Sequence, residues 1–177
     1  MMARQIAPGL RRTFSFEDWN WVDDRLIQEV RTEASKKINR DLVLDIMGTD
    51  IDARMVEIAK ENAQKAGVAS DITFKQMRVQ DLRSDKINGV IISNPPYGER
   101  LSDDAGVTKL YAEMGEVFEP LKTWSKFILT SDENFEKKFG RQADKKRKLY
   151  NGTLKVDLYQ FFGERVRRQA TSEKGNI

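Results

Sequence analysis

The chain has 177 residues, with 31 basic and 28 acidic side chains and neither histidine nor cysteine. These two absences exclude disulfide bonds, Cys- or His-ligated metal sites and every mechanism that uses histidine as a base. The mean hydropathy of -0.63 is typical of an ordinary soluble domain, and no apolar run has the roughly 18 residues that a membrane span needs. Because the opening MMARQIAPGL lacks the apolar core of a secretory signal, we predict a cytoplasmic protein that binds neither a metal nor a membrane.

The apolar pattern predicts strands that alternate with helices through most of the chain. Residues 41–47 are predicted as a strand buried on both faces, and a helix follows with Asp52 as its N-cap and Gly67 as its left-handed C-terminal cap. Further strands are predicted at 72–75, 90–92 and 126–130, an amphipathic helix at 107–119 with Leu110, Met114, Val117 and Phe118 on one face, and a short helix, capped by Asp132 or Ser131, that ends at Phe139.

The carboxy-terminal part of the chain has the pattern of an antiparallel hairpin. Residues 148–150 and 153–162 flank Asn151-Gly152, the dipeptide that most readily supplies the two positive φ angles of a type I′ turn. The order β-α-β-β-α-β-α, followed by this hairpin, predicts a doubly wound α/β sheet. Ligands of such sheets bind at the carboxyl ends of the strands.

Two carboxylates lie just after predicted strands. Asp50 precedes the first long helix, where a carboxylate can accept hydrogen bonds from both hydroxyls of a ribose. Asp81 follows the next strand and could accept a hydrogen bond from an adenine amino group while Leu82 packs on the ring. Structural alternatives stay open, since Asp50 could equally be a loop or capping residue and Asp81, taken alone, is better explained as a turn residue.

The strongest signal is the segment Asn94-Pro95-Pro96-Tyr97, here called the acceptor loop, which follows the predicted strand at 90–92. Two consecutive prolines fix φ and remove two backbone donors, so the loop presents carbonyl oxygens and the Asn94 amide oxygen with little freedom. An exocyclic amine, such as guanine N2 or adenine N6, could donate both hydrogens to these oxygens while Tyr97 stacks on an extruded base. The structural alternative is a crossover loop that the prolines merely stiffen.

A second cluster of candidate residues is basic. Positive charge can attract nucleic-acid phosphates, although a charged run is often only a solvated face. The predicted phosphate contacts are Arg100, Lys145, Lys146, Arg147 and Lys148.

The acceptor loop resembles the signature of amino-methyltransferases that use S-adenosylmethionine (SAM), and NPPYGERL with GTDID upstream resembles an RNA methylase family. Within that family the chain is most similar to the catalytic domain of bacterial large-subunit ribosomal RNA guanine-N2 methyltransferases, whose members often carry the name N6-adenine-specific DNA methylase. The opening MMARQIAPGLRRTFSFEDWNW resembles the segment that follows their SAM loop. The resemblance therefore covers nearly the whole chain.

The resemblance implies a Rossmann-like class I SAM-dependent methyltransferase sheet that ends in an antiparallel hairpin. It implies that Asp50 and Ile51 bind the SAM ribose, that Asp81 and Leu82 bind its adenine, and that residues 94–97 hold the target base beside the methyl group, with Asn94 also touching the cofactor. The implied reaction is methyl transfer to guanine N2 of large-subunit ribosomal RNA. Adenine-N6 methylation of DNA and a catalytically inactive RNA-binding fragment are the alternatives.

The chain departs from the family pattern at its amino terminus. Relatives place a strand and a Gly-rich SAM loop before the segment at which this sequence begins, whereas Gly9 is the only glycine before residue 40 here. We therefore expect residues 1–168 to be a partial catalytic domain that lacks this strand and loop, followed by a flexible tail at 169–177. We also expect weak SAM binding and marginal stability, unless a homo-oligomeric partner compensates for the missing strand.

Overall fold

Residues 1–97 and 104–165 are described by a computed structural model, and the chain divides into two compact units, Met1–Met77 and Arg78–Ile177. The first unit contains α1 (Asp24–Lys36), β1 (Ile46–Asp50), α2 (Ala53–Lys65) and β2 (Ile72–Gln76). The second contains β3 (Val90–Ser93), α3 (Asp104–Phe118), β4 (Ser125–Thr130), α4 (Phe135–Phe139), β5 (Lys145–Asn151) and β6 (Leu154–Phe161). Within the two described ranges, no helix is long and apolar enough to cross a membrane.

Some of the predictions fall outside these ranges or stay untested. Arg100 and the predicted tail at 169–177 lie outside the described residues. The assignment of 1–168 to a partial catalytic domain stays a prediction.

The first unit is built on a parallel pair of strands with a capped helix between them. β1 pairs with β2 in parallel from Ile46 opposite Ile72 to Asp50 opposite Gln76. The carboxylate of Asp52 accepts a hydrogen bond from the Arg54 amide at 2.8 Å, so the predicted N-cap of α2 is confirmed. Gly67 follows this helix with a φ of 70°, which also confirms its predicted left-handed conformation.

The predicted position and burial of the first strand are wrong. The strand was expected at 41–47 and buried on both faces, but β1 runs from Ile46 to Asp50, and Ile46 and Met47 are 43% and 44% exposed. Within the part of the chain that the structure describes, β1 pairs only with β2. An apolar run predicts burial without specifying register, and here Val43 lies before the strand with 94% of its surface exposed.

Helix α1 is absent from the elements predicted above. It begins after Asp23, whose carboxylate accepts a hydrogen bond from the Arg25 amide at 2.9 Å. Arg31, on its partly buried side, donates to the carbonyl oxygens of Leu10 and Arg12 at 2.8 and 2.7 Å. The N-cap aspartate was therefore the signal in the sequence that could have located this helix.

The second unit is a four-stranded mixed sheet in the order β3-β4-β6-β5. β3 and β4 are parallel, whereas β6 is antiparallel to both β4 and β5. Helices α3 and α4 pack on one face of this sheet and bury the core cluster, which consists of Val107, Tyr111, Met114, Phe118, Ile128, Phe135, Phe139, Tyr159 and Phe161. The predicted amphipathic helix is confirmed, since Met114 and Phe118 are buried and Leu110 and Val117 pack against the cluster.

The start of α4 differs from the prediction. Asn134 is the N-cap, not Asp132 or Ser131. The Asp132 side chain instead stabilises the turn before the helix, because its Oδ1 accepts a hydrogen bond from the amide of the N-cap residue Asn134 at 2.8 Å. The helix ends as predicted at Phe139, where Gly140 adopts a φ of 81°.

The hairpin is confirmed, but its turn is displaced by one residue. Asn151 pairs with Leu154, so the two turn residues are Gly152 and Thr153. Gly152 has a φ of 62° at the first turn position, which is where a type II′ turn places its glycine. The longer β5 also includes Lys145, Lys146 and Arg147, because backbone pairing with β6 overrides their low strand propensity.

Candidate functional site

The acceptor loop lies at the carboxyl end of β3, inside the second unit. The last strand residue, Ser93, pairs with Ile128 on β4, and the chain leaves the sheet at Asn94. Asn94 is exposed, Pro95 is buried, and Pro96 and Tyr97 are half-buried. The prolines therefore anchor the loop to the protein, while the asparagine amide is accessible to a ligand.

The loop is also held by a hydrogen bond from the core. The Tyr111 hydroxyl on α3 lies 3.3 Å from the Pro96 carbonyl oxygen and 2.9 Å from Thr130 Oγ1 at the end of β4. Tyr111 has no solvent-exposed surface, and burial raises the pKa of its phenol. The hydroxyl is therefore protonated near neutral pH and able to donate.

Asp81 and Leu82 lie in the same unit as the acceptor loop. Asp81 ends a short 3-10 turn, Val79–Asp81, and is exposed. Leu82 is half-buried because it packs against the core cluster. The Asp81 carboxylate is therefore accessible to a ligand, whereas one side of Leu82 is already buried against the core cluster.

Asp50 and Ile51 belong to the first unit. Asp50 is exposed at the carboxyl end of β1, and its Oδ1 accepts a hydrogen bond from the Asp52 amide at 2.8 Å. Ile51 is 62% exposed, and its carbonyl oxygen accepts from Gln76 Nε2 at 3.0 Å. The turn alternative for Asp50 is thus realised, yet it uses one carboxylate oxygen and leaves the other available.

The strand β5 divides the predicted basic run between two faces of the sheet. Lys146 lies on the face that carries the core cluster, where its Nζ is 3.3 Å from the Tyr159 hydroxyl and 3.4 Å from Asp157 Oδ2. Partial burial lowers the pKa of Lys146, but the bond to Tyr159 and the charge of Asp157 outweigh this and raise it overall. Lys145 and Arg147 alternate onto the opposite face and are exposed, and Lys148 is exposed as well.

Residues 1–160 match the family model described as "UPF0020: RMKL-like, methyltransferase domain". The chain belongs to this methyltransferase domain family. It is 50% identical over 172 residues to "Putative RNA methyltransferase YpsC" of Bacillus subtilis (strain 168), a match that covers 97% of this chain and 45% of the relative. It is 38% identical over 188 residues to "Ribosomal RNA large subunit methyltransferase K/L" of Shewanella amazonensis, covering 100% of this chain and 27% of the relative.

A solved structure supports the same assignment. The crystal structure of SMU.472, described as "a putative methyltransferase complexed with SAH", matches this chain with a TM-score of 0.91 and 62% identity. The match covers 94% of this chain and 44% of that one. These comparisons confirm the predicted RNA methylase family and its α/β fold, and the chain spans less than half the length of the relatives named here.

Three residues of this methyltransferase domain that support the acceptor loop were missed by sequence reasoning. They are Tyr111, Thr130 and Asp132, and the Asp132 amide donates to Thr130 Oγ1 at 3.1 Å. Thr130 and Asp132 stand at the carboxyl end of a buried parallel strand, the position at which α/β sheets bind ligands, and this signal could have found them. Tyr111 carries no such signal, since it occupies an ordinary core position of an amphipathic helix.

Proposed function

We propose that this chain is a SAM-dependent methyltransferase domain that modifies the exocyclic N2 amine of guanine in large-subunit ribosomal RNA. The observation that carries the proposal is the acceptor loop, in which an exposed Asn94 stands at the end of β3 on two consecutive prolines. The name of the K/L relative supports ribosomal RNA as the substrate. The SAH in the SMU.472 structure supports SAM as the methyl donor.

Each unit by itself presents residues whose chemistry suits one part of this cofactor. The exposed Asp50 carboxylate has an oxygen that can accept from the ribose hydroxyls, and the exposed Asp81 can accept from the adenine amine. Ile51 and Leu82 supply apolar surface beside these two carboxylates. When bound, SAM supplies a methyl group already activated on a sulfonium.

The acceptor loop acts on the other reactant. Asn94 Oδ1 and a proline carbonyl accept the two hydrogens of the target amine, which fixes the nitrogen and keeps its lone pair directed at the electrophilic carbon. Tyr97 provides an aromatic surface on which an extruded base stacks. Since the methyl group would be displaced from a sulfonium, and solvent would take the proton that the amine loses after transfer, alignment is the main task left to these side chains.

Basic side chains then bind the RNA backbone. Lys145 and Arg147 project from one face of β5, and the exposed Lys148, which pairs with Asp157, projects from the other. Lys146 is held by Tyr159 and Asp157 and contributes charge from a fixed position. Arg100 is assigned to the same role on its sequence position alone.

The proposal is tested by methyl transfer and by cofactor binding. The chain is incubated with a large excess of radiolabelled SAM, because weak cofactor binding is expected, and with either large-subunit ribosomal RNA or duplex DNA. SAH binding is measured by calorimetry at concentrations that reach the millimolar range. We expect label in RNA, located at guanine N2, and a loss of transfer in Asn94→Ala. Asp50→Asn should weaken SAH binding, whereas Asp85→Asn, which changes an exposed aspartate outside the proposed site, should not.

Three results would contradict the proposal. Label at adenine N6 of DNA with none in RNA would replace the substrate. RNA binding without SAH binding would favour an inactive RNA-binding fragment. Undiminished transfer by Asn94→Ala would remove the assigned role of the acceptor loop.

A further inference from the structure

The hydroxyl of Tyr111 joins two strand ends of the second unit. It bonds the carbonyl oxygen of Pro96, after β3, and the side chain of Thr130, at the end of β4. The Tyr111 ring is fixed by the core, since it meets Phe135 edge-on with ring centroids 4.9 Å apart. The hydroxyl therefore stands at a rigid position beneath the acceptor loop.

The direction of each proton in this network follows from the groups involved. A proline carbonyl can only accept, so Tyr111 donates its single proton to Pro96. Thr130 then donates its proton to the Tyr111 oxygen and accepts from the Asp132 amide at 3.1 Å. Every donor in the series is used once, and the chain of bonds runs from Asp132 to Pro96.

The turn that begins this series is itself firmly held. The carbonyl oxygen of Asp132 accepts from the Tyr159 hydroxyl at 3.1 Å, and its Oδ2 accepts from Lys138 Nζ at 2.9 Å. Both Thr130 and Tyr159 have no exposed surface. Buried, fully satisfied networks of this kind restrict side chains to one arrangement.

We propose that Tyr111 is a positioning residue, which holds the Pro96 carbonyl and thereby fixes the orientation in which Asn94 and Tyr97 meet the target base. The prolines already fix φ at positions 95 and 96. A bond to the Pro96 carbonyl restrains the remaining backbone rotation, which no proline ring controls. This role rests on the proposed function, because it concerns alignment of the same methyl transfer.

Tyr111→Phe tests the role, because it removes the hydroxyl and keeps the ring. We expect kcat for transfer from SAM to large-subunit ribosomal RNA to fall about fivefold to tenfold, the equivalent of one buried hydrogen bond. KM for SAM should change much less than kcat, since the carboxylates proposed to hold its adenosine, Asp50 and Asp81, are not substituted. Independently of activity, the carbonyl ¹³C signal of Pro96, read through the Tyr97 amide in an HNCO spectrum, should move upfield.

A second pair of variants and a control separate positioning from general damage. Thr130→Val should lower kcat to a similar extent, Thr130→Ser should restore it, and the double variant with Tyr111→Phe should lose little more. Tyr150→Phe removes the hydroxyl of a tyrosine that is 68% exposed and should leave kcat and the Pro96 signal unchanged. If Tyr111→Phe does not fold, the Thr130 pair makes the same test.

The outcomes distinguish this role from the proposed function. An unmodified chain with neither methyl transfer nor SAH binding would overturn the proposed function and the positioning role with it. An active Tyr111→Phe variant with unchanged kcat and an unshifted Pro96 carbonyl signal would overturn the positioning role alone. The positioning role would also be contradicted if Thr130→Ser, which keeps the hydroxyl, lowered kcat as much as Thr130→Val does.

Discussion

The packing of α3 on α4 predicts an unusual response to Gly115→Ala. In the interior of a helix, alanine is normally more favourable than glycine by about 1 kcal/mol. A Cβ atom on Gly115, however, would lie 2.1 Å from the backbone carbonyl oxygen of Phe139. A backbone oxygen at a helix end cannot rotate out of the way as a flexible side chain could, so the two helices must separate.

The magnitude follows from these two opposing effects. Overpacking of a tightly packed contact costs about 1–3 kcal/mol, and the fixed backbone oxygen places this site near the upper end of that range. With the gain in helix propensity subtracted, we expect Gly115→Ala to lower the free energy of unfolding by about 2 kcal/mol. Urea denaturation followed by circular dichroism measures this difference directly.

Gly106→Ala is the matched control, because Gly106 is an exposed position of the same helix. Because Gly106 is in the first turn of the helix and not in its interior, only part of the propensity gain applies, and we expect the free energy of unfolding to rise by less than about 1 kcal/mol. The two substitutions should therefore change stability in opposite directions. A Gly115→Ala variant as stable as the unmodified chain would refute the close approach of the two helices.

Three further predictions concern the acid side of the stability curve, the RNA interface and the aromatic core. Arg4 donates two hydrogen bonds of 2.6 Å to Asp71, and these bonds are the main reason that the pKa of the Asp71 carboxyl lies below its usual value. The pair therefore stabilises the fold above the unfolded-state pKa, and this stabilisation is lost as the pH falls through the folded-state pKa. We expect the melting temperature of Asp71→Asn to depend less on pH in the acid range than that of the unmodified chain. Charge reversal of Lys145 and Arg147 together should weaken RNA binding and reduce its salt slope by about 1.4–1.8, at about 0.7–0.9 per lost phosphate contact. The same reversal at the exposed Lys36 and Lys37 should leave both unchanged. Phe135 has no exposed surface, so Phe135→Ala should lower the free energy of unfolding by about 3–5 kcal/mol. Phe162→Ala should lower it by less than about 1 kcal/mol, because Phe162 is 49% exposed. These expectations would be contradicted by an Asp71→Asn variant with the pH dependence of the unmodified chain, by equal salt slopes for the two lysine and arginine reversals, or by equal losses of stability for the two phenylalanine variants.

Sequence patterns predicted the elements whose local signals agree with their tertiary surroundings. Helix α2 combines an N-cap, an apolar face and a positive-φ glycine, and its predicted limits hold. The amphipathic α3 also follows its pattern, because its apolar face meets the core cluster. Where several local signals agree with the tertiary packing, the structure forms as the sequence pattern predicts.

The predictions that were wrong depend on register and partners, which a single sequence does not specify. The start of β1 shifted because pairing with β2, rather than hydrophobicity, sets its position. The hairpin turn moved from Asn151-Gly152 to Gly152-Thr153 because the pairing of Asn151 with Leu154 closes the strand ladder one residue later.

The candidate site was only partly predictable, because the sequence shows its motif but not the tertiary contacts that support it. A proline-rich motif after a strand marks the acceptor loop without any structure. Its support from Tyr111 could not be inferred, since that contact joins residues 15 positions apart across a helix and a loop. Likewise, only the pairing with β6 shows that Lys146 is engaged by Tyr159 while Lys145 faces away from it.

The location of β5 has a consequence for how copies of this protein meet one another. In the part of the chain that the structure describes, β5 is an outer strand of its sheet and pairs only with β6. Strands with one unpaired side can recruit further strands and start aggregation, and closely spaced positive charges oppose this by mutual repulsion. The four consecutive cations from Lys145 to Lys148 therefore oppose the pairing of β5 with a strand of another copy. We expect that neutralising them to abolish nucleic-acid contact would also promote self-association.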